Sequence, residues 1–381
     1  MRLSRRSLLA FPLALGAAGL PLVRARAEEP LLIGVSGPLT GPMAQYGAQW
    51  KAGFDLALAR LNAEPGPKFD YVFEDSQSDP RQAVAIAQKF VNNPRILAEI
   101  GDFSSPASMA ASPIYNRGKL LQLGITNSHP DYTKSGDYTW SNCLTQADEQ
   151  PQLAKYVVGE LGRKKLAVLH LNTDWGLTSK DIFSKAAREA GAEIVATEAY
   201  LPDEKDFRST LVRVRDANPD AIVLESYYAD GALIVRQARE LGIRQPIAGV
   251  GSLYSPKFIE LAGSDAEGVF TQAYFTADEP RPEVHDFVTA FRTQYGKDPD
   301  WFNATAYDGL IFLGTLVRRY GASRTAIHDG IAKATDLPSV VFGQGASFDP
   351  ATRRVRGVHF VRLVVKGGKF VPWDGTKPQA A

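Results

Sequence analysis

The chain has 381 residues, 44% of them apolar, with 43 basic against 42 acidic side chains. That length favours two domains over one, and the balanced charge, without a basic run, gives no reason to expect nucleic acid or an anionic membrane as partner. A single thiol, Cys143, excludes an internal disulfide, so the core must supply the stability.

Residues 1–27 read as an export signal. Arg5 and Arg6 form its basic end, in a Ser4-Arg5-Arg6-Ser7-Leu8-Leu9 run close to the twin-arginine pattern. An apolar stretch from Leu8 to Leu22 follows, broken by Pro12 and Pro21 and short for a spanning helix. Ala25-Arg26-Ala27 is an A-x-A cleavage site, so the mature chain is expected to begin near Glu28, in the periplasm. No cysteine follows the cleavage site, which argues against a lipid anchor.

Strand and helix patterns then alternate. Apolar runs predict strands at Leu31–Val35, Tyr71–Phe73, Leu97–Ile100 and Leu120–Leu123. Helical spacing predicts helices at Ala44–Leu61, Pro80–Val91 and Ser105–Tyr115 between them. The succession restarts with strands at Lys165–His170, Glu193–Ala199, Ala221–Leu224 and Ile247–Val250. Helices are predicted there at Thr178–Ala190, Asp206–Asp216 and Gly231–Leu241. Two later helices, Glu283–Tyr295 and Asn303–Tyr320, precede a hairpin of Gly357–Val365 and Lys369–Val371 around Gly367-Gly368. Repeated βαβ units imply parallel sheets covered on both faces, and two such units in tandem imply two lobes.

Catalytic signatures are missing. There is no H-E-x-x-H, no G-x-S-x-G and no G-x-x-x-x-G-K-[ST], and the five histidines are scattered without metal-ligand spacing. No enzyme, cofactor or metal is expected. Cys143 reads as a small buried hydrophobe.

One set of short motifs remains. It comprises Ile33-Gly34-Val35…Gly37-Pro38-Leu39-Thr40-Gly41, Ala44-Gln45-Tyr46-Gly47, Asp75…Ser78-Asp79-Pro80, Gly101-Asp102-Phe103-Ser104-Ser105, Thr126-Asn127, Glu204-Lys205-Asp206-Phe207 and Ala306-Tyr307-Asp308-Gly309. In this order the chain resembles the periplasmic solute-binding proteins of ABC importers, specifically the branched-chain amino-acid (Leu/Ile/Val) binding group, over almost the whole mature length. The resemblance implies a type I periplasmic-binding fold: two Rossmann-like α/β lobes with parallel-type sheets, joined by three crossovers, with a ligand cleft between them. Lobe one would be 28–145 plus 276–348, and lobe two 146–275 plus 349–381. It further implies a monomer that captures a small-molecule ligand by hinge closure and delivers it to an ABC permease in the inner membrane. A receptor of the same fold could instead feed a signalling partner.

Open α/β sheets bind ligands beyond the carboxyl ends of their strands, where several of these motifs fall. Ser105 sits at a predicted helix start, where a hydroxyl beside free N–H groups can hold a carboxylate. By the resemblance, Thr126 would add a hydroxyl and N–H, and Gly124 its carbonyl. Tyr46, Phe103, Trp175 and Tyr227 would wall the cleft. Amino-acid binders of this group usually hold the ligand ammonium with a glutamate that here corresponds to the Gly249–Leu253 stretch, centred on Gly251, which has no carboxylate. Either another acid substitutes, with Asp102, Glu225 and Asp230 as candidates, or the ligand is an aromatic or aliphatic carboxylate without an amine. A disulfide frequent in the group's leucine binders is replaced by Ser78 and Ser104, which leaves Ser104 free to bond.

Overall fold

The computed structural model describes residues 29–343, 345–357 and 360–377, and the predicted export signal lies outside them. No described helix is long and apolar enough to cross a membrane.

Two seven-stranded sheets organise the chain. The first holds β1 (Leu31–Gly37), β2 (Phe69–Asp75), β3 (Ile96–Gly101), β4 (Leu121–Gly124) and β5 (Thr139–Ser141), all parallel. The second holds β6 (Lys165–Leu171), β7 (Glu193–Tyr200), β8 (Ala221–Glu225), β9 (Ile247–Gly249) and β10 (Phe270–Ala273), again parallel. Late strands finish each sheet: β11 (Phe348–Asp349) and β12 (Arg354–Val355) the first, β13 (Val361–Lys366) and β14 (Lys369–Pro372) the second. The orders are β11-β12-β5-β4-β3-β1-β2 and β14-β13-β10-β9-β8-β6-β7. Both cores therefore share one topology, whose strand order reverses between β1 and β3 and between β6 and β8. Those reversals open the crevices in which doubly wound sheets hold ligands.

The strand sequences follow from this layering. Central β1 and β3 are covered on both faces by helices and read as continuous buried runs, whereas edge strands β2 and β7 are largely half-exposed and carry charged residues.

Eleven α-helices are described: α1 (Ala44–Ala63), α2 (Pro80–Asn92), α3 (Ser105–Arg117), α4 (Gln146–Ala154), α5 (Asp174–Glu189), α6 (Arg208–Asp216), α7 (Tyr228–Glu240), α8 (Pro256–Ala262), α9 (Pro282–Tyr295), α10 (Trp301–Tyr320) and α11 (Arg324–Ile331). In α1, Tyr46, Trp50, Phe54, Ala57 and Leu61 form one buried stripe at helical spacing. A Cβ on Gly53 would lie 2.2 Å from the Asn303 carbonyl, so this glycine lets α1 and α10 approach closely. Asp79 caps α2 by accepting the N–H groups of Arg81 and Gln82, with Pro80 at the first helical position. Gly367 and Gly368 both take positive φ and make the tight turn between β13 and β14.

The last passage between sheets differs from expectation. Phe348–Asp349 and Arg354–Val355 still belong to the first sheet, with Arg354 opposite Ser141, so the chain passes to the second sheet after Val355 rather than at 348–349. Two-residue strands carry no periodicity, so the sequence offers nothing to place them. Helix α5 also starts earlier than predicted, at Asp174, because Thr173 caps it by accepting the Gly176 N–H. That puts Trp175 in its first turn.

Candidate functional site

The loops at the carboxyl ends of β1, β3 and β4 face those after β6, β8 and β9. Between them lies a tight cavity of about 30 Å³, so the lobes stand nearly closed on each other and a ligand would have to part them. Phe103, Ser105 and Thr126 line it from the first lobe, and Trp175 and Tyr227 from the second. These are five of the residues expected at the cleft.

Ser105 opens α3, whose preceding residue, Ser104, makes no side-chain cap. The Ser105 hydroxyl is buried and accepts the His129 N–H at 3.4 Å, a long contact. Ser105 is therefore the first helical residue, not the cap, and its hydroxyl stands beside the positive end of the helix. Thr126 donates its hydroxyl to the Phe103 carbonyl at 3.2 Å. Trp175 and Tyr227 stack with ring centres 4.8 Å apart, and Phe103 meets Tyr227 edge-on at 5.5 Å. The Trp175 indole N–H donates to the Ser128 hydroxyl at 2.9 Å, tying the lobes together at the cavity edge. Beside it, His129 Nε2 approaches Thr178 at 3.1 Å and the Asp174 carboxylate at 3.3 Å, and burial holds this imidazole below its usual pKa.

Other expected residues do not line the cavity. Tyr46 is fully buried behind it, stacked on Phe103 at 3.8 Å. Its hydroxyl donates to the Ser252 carbonyl and accepts the Tyr228 N–H, so it is a bridge between lobes rather than a wall. The Gly124 carbonyl already accepts from the Ser141 hydroxyl and the Asn142 N–H, each at 3.0 Å. Ser104 gives its backbone N–H to Asp102.

None of the three candidate ammonium partners lines the cavity either. Asp102 is buried, and the hydroxyls of Ser36, Ser76 and Ser78 together with the Ser104 N–H converge on it. Burial nonetheless raises its pKa. Ser78 and Ser104 thus meet at Asp102, a polar knot where the group's disulfide would stand. Glu225 is buried behind the cavity and accepts from Gln150 at 2.8 Å and from Ser179, with burial pushing its carboxyl up to about 8. Asp230, on the first turn of α7, is pushed up to about 6 by burial and does not line the cavity.

The residue that sequence reasoning missed is Glu149. It lies on α4 and lines the cavity, and its Oε1 accepts the Gly251 N–H at 3.1 Å. Burial pushes its carboxyl up to about 7. So Gly251, which brings no side chain, sits against a carboxylate delivered by another element. The capping box of Thr145 and Asp148, visible as Thr-x-x-Asp, marks the start of α4 and was the available signal. Tyr274, Trp301 and Phe302 complete the aromatic lining, and buried Cys143 packs its thiol 3.3 Å from the Tyr274 hydroxyl.

A wider groove of about 1000 Å³ lies on the outside, along β12 and the start of α4. Its cations are already engaged: Arg353 on the Thr133 carbonyl, Arg354 on the carbonyls of Asn127, His129 and Cys143, and Arg356 on Asp349. Size alone does not make it the site, since these arginines already serve the protein's own carbonyls and carboxylate. Among the described residues no cluster of His, Cys, Asp or Glu could hold a metal ion.

A two-lobed α/β chain with a cavity between the lobes agrees with the family comparison. Residues 30–369 match the family model described as periplasmic binding protein.

The chain belongs to the periplasmic binding protein family.

Among its relatives, the Leu/Ile/Val-binding protein homolog 3 of Brucella melitensis is 25% identical over 355 residues, covering 90% of this chain and 94% of that one. The branched-chain amino acid transporter substrate-binding protein LivJ from Streptococcus pneumoniae, solved in complex with isoleucine, is 26% identical with a TM-score of 0.83, covering 90% and 98%. A leucine-binding protein, LivK, from Thermotoga maritima shares the fold with a TM-score of 0.84 at 24% identity, covering 90% and 97%. The family consists of substrate-binding proteins that work with ABC transporters.

Proposed function

We propose that this periplasmic binding protein is exported to the periplasm, where it captures a small carboxylate with an apolar body, foremost a branched-chain-like amino acid, by closing its lobes over it. It then presents the closed form to an ABC permease, acting as a monomer without catalysis. The observation that carries the reading is the cavity, with hydroxyls of Ser105 and Thr126 at the amino end of α3 and aromatic walls drawn from both lobes. Contacts made to both lobes only when closed give a ligand the differential affinity that drives closure.

A second reading has its own support. The aromatic rings lining the cavity suit an aromatic acid lacking an amine. A thermal-shift screen of the mature chain tests the shared core of both readings. A ligand bound only by the native state raises the melting temperature by mass action. Shifts confined to small apolar amino acids or carboxylates are expected, and no shift with any of them would refute the proposal.

A further inference from the structure

The cavity contains a negative charge with no positive one to meet it. Glu149 spends Oε1 on the Gly251 N–H, and its Oε2 takes no hydrogen bond among the described residues. A Cβ on Gly251 would lie 3.1 Å from that Oε1 and 2.9 Å from the Gln272 carbonyl, so the bare glycine is what leaves room for the carboxylate.

The groups around Glu149 do not help it. Asp148 on its own helix repels a charge on Glu149, and Glu225 from β8, its carboxyl pushed up to about 8, offers no cation either, its Oε1 buried without a partner. The Cys143 thiol and the Tyr274 phenol are neutral and bonded to each other. Arg354, from β12, is buried beside Cys143 but donates to backbone carbonyls. No lysine, arginine or histidine pairs with Glu149 among the described residues. The rings of Trp175, Tyr227, Tyr274 and Trp301 line the same cavity.

Glu149 is half-buried, and an ionised carboxylate that a bound ligand then seals from water is strongly disfavoured unless something cancels its charge. In the open protein water does this. In the closed one only a proton or a ligand cation can.

We infer that Glu149 is a charge gate: the lobes close over a ligand only when an ammonium group of that ligand, or a proton, neutralises Glu149, so the ligands admitted at neutral pH and above are amino acids rather than amine-free acids. This rests on the cavity being the ligand site. The raised carboxyl of Glu149 is consistent with it, since closure without a cation favours the protonated form.

The two ligand classes then have opposite signatures. An amine-free acid must be bound together with a proton, so its affinity falls as pH rises, by up to about tenfold per pH unit. An ammonium ligand needs no added proton, and its affinity stays level.

Isothermal titration of the mature protein between about pH 6 and 8 separates the classes. The probes are L-leucine and L-phenylalanine beside their deaminated counterparts, isocaproate and hydrocinnamate. The amino acids are expected to bind at level affinity. The amine-free acids are expected to be at least about tenfold weaker at the upper pH and to gain as pH falls. Glu149→Gln, nearly isosteric, should weaken the amino acids by about tenfold or more and abolish the pH dependence of the amine-free acids. Amine-free acids binding as tightly as amino acids at the upper pH, or unchanged amino-acid affinity in Glu149→Gln, would overturn the gate alone. Binding of neither class at any pH would overturn the ligand-site reading and the gate with it.

Discussion

The phenol of Tyr46 in the first lobe donates to the Ser252 carbonyl in the second at 2.9 Å. The same oxygen accepts the Tyr228 N–H at 3.1 Å, and the Tyr228 hydroxyl returns across the cleft to the Pro42 carbonyl at 2.9 Å. Tyr46, Tyr228 and Pro42 do not line the cavity, so these bonds act on closure rather than on ligand contact. Tyr46→Phe keeps the ring stacked on Phe103 and removes two of the three bonds. Ligand affinity should weaken by roughly 1–2 kcal/mol, the worth of one or two hydrogen bonds. Equal ligand dissociation constants for Tyr46→Phe and the parent would show that the latch adds nothing to closure.

Ser105 and Thr126 are the hydroxyls assigned to the ligand carboxylate. Removing either, as Ser105→Ala or Thr126→Ala, should weaken binding by about 1–3 kcal/mol, as for a buried hydrogen bond to a charged group. Melting temperature without ligand should change little, because neither hydroxyl is the cap of α3. Titration calorimetry on both variants checks this, and parent-like affinity in both would remove the site assignment.

Several buried or half-buried carboxyls have raised pKa values: Asp230 and Asp300 at about 6, Asp308 at about 7 and Glu225 at about 8, each chiefly through burial. Asp308, for example, accepts the Ser339 hydroxyl and the N–H groups of Val340 and Val341, yet remains raised. A raised carboxyl means that the folded state binds more protons than the unfolded one between the two pKa values. Stability then falls as pH rises through that window. The ligand-free protein should therefore melt at a higher temperature near about pH 5.5 than near about pH 8. Melting curves across that range decide it, and a flat or rising trend with pH would mean these groups are not buried in the folded protein.

Much of the fold was legible because it is carried by long, periodic elements. The stripe of Tyr46, Trp50, Phe54 and Leu61 and the buried run of β1 announce a helix and a covered strand without help from tertiary structure. The βαβ restart at Lys165 likewise gave the second lobe. What failed was short or spatial. Strands β11 and β12 have two residues each, so the final crossover could not be placed. Five of the fourteen residues lining the cavity were visible, because Ser105, Thr126, Phe103, Trp175 and Tyr227 follow strand ends. Asp102, Glu225 and Asp230 were plausible ammonium partners by position along the chain, yet serine hydroxyls, Gln150 and the distance from the cavity remove them. Glu149 was invisible because it lies 102 positions from the Gly251 it touches, on a helix that no strand-end rule points to.

The most direct measurement is a crystal structure of the mature protein grown with a ligand that raises its melting temperature. The ligand carboxylate should lie within hydrogen-bond distance of Ser105 and Thr126 at the amino end of α3, its apolar body among Phe103, Trp175 and Tyr227, and its ammonium on Glu149. A ligand seated instead in the outer groove by Arg353 and Arg356, or a cavity left empty beneath closed lobes, would contradict the account.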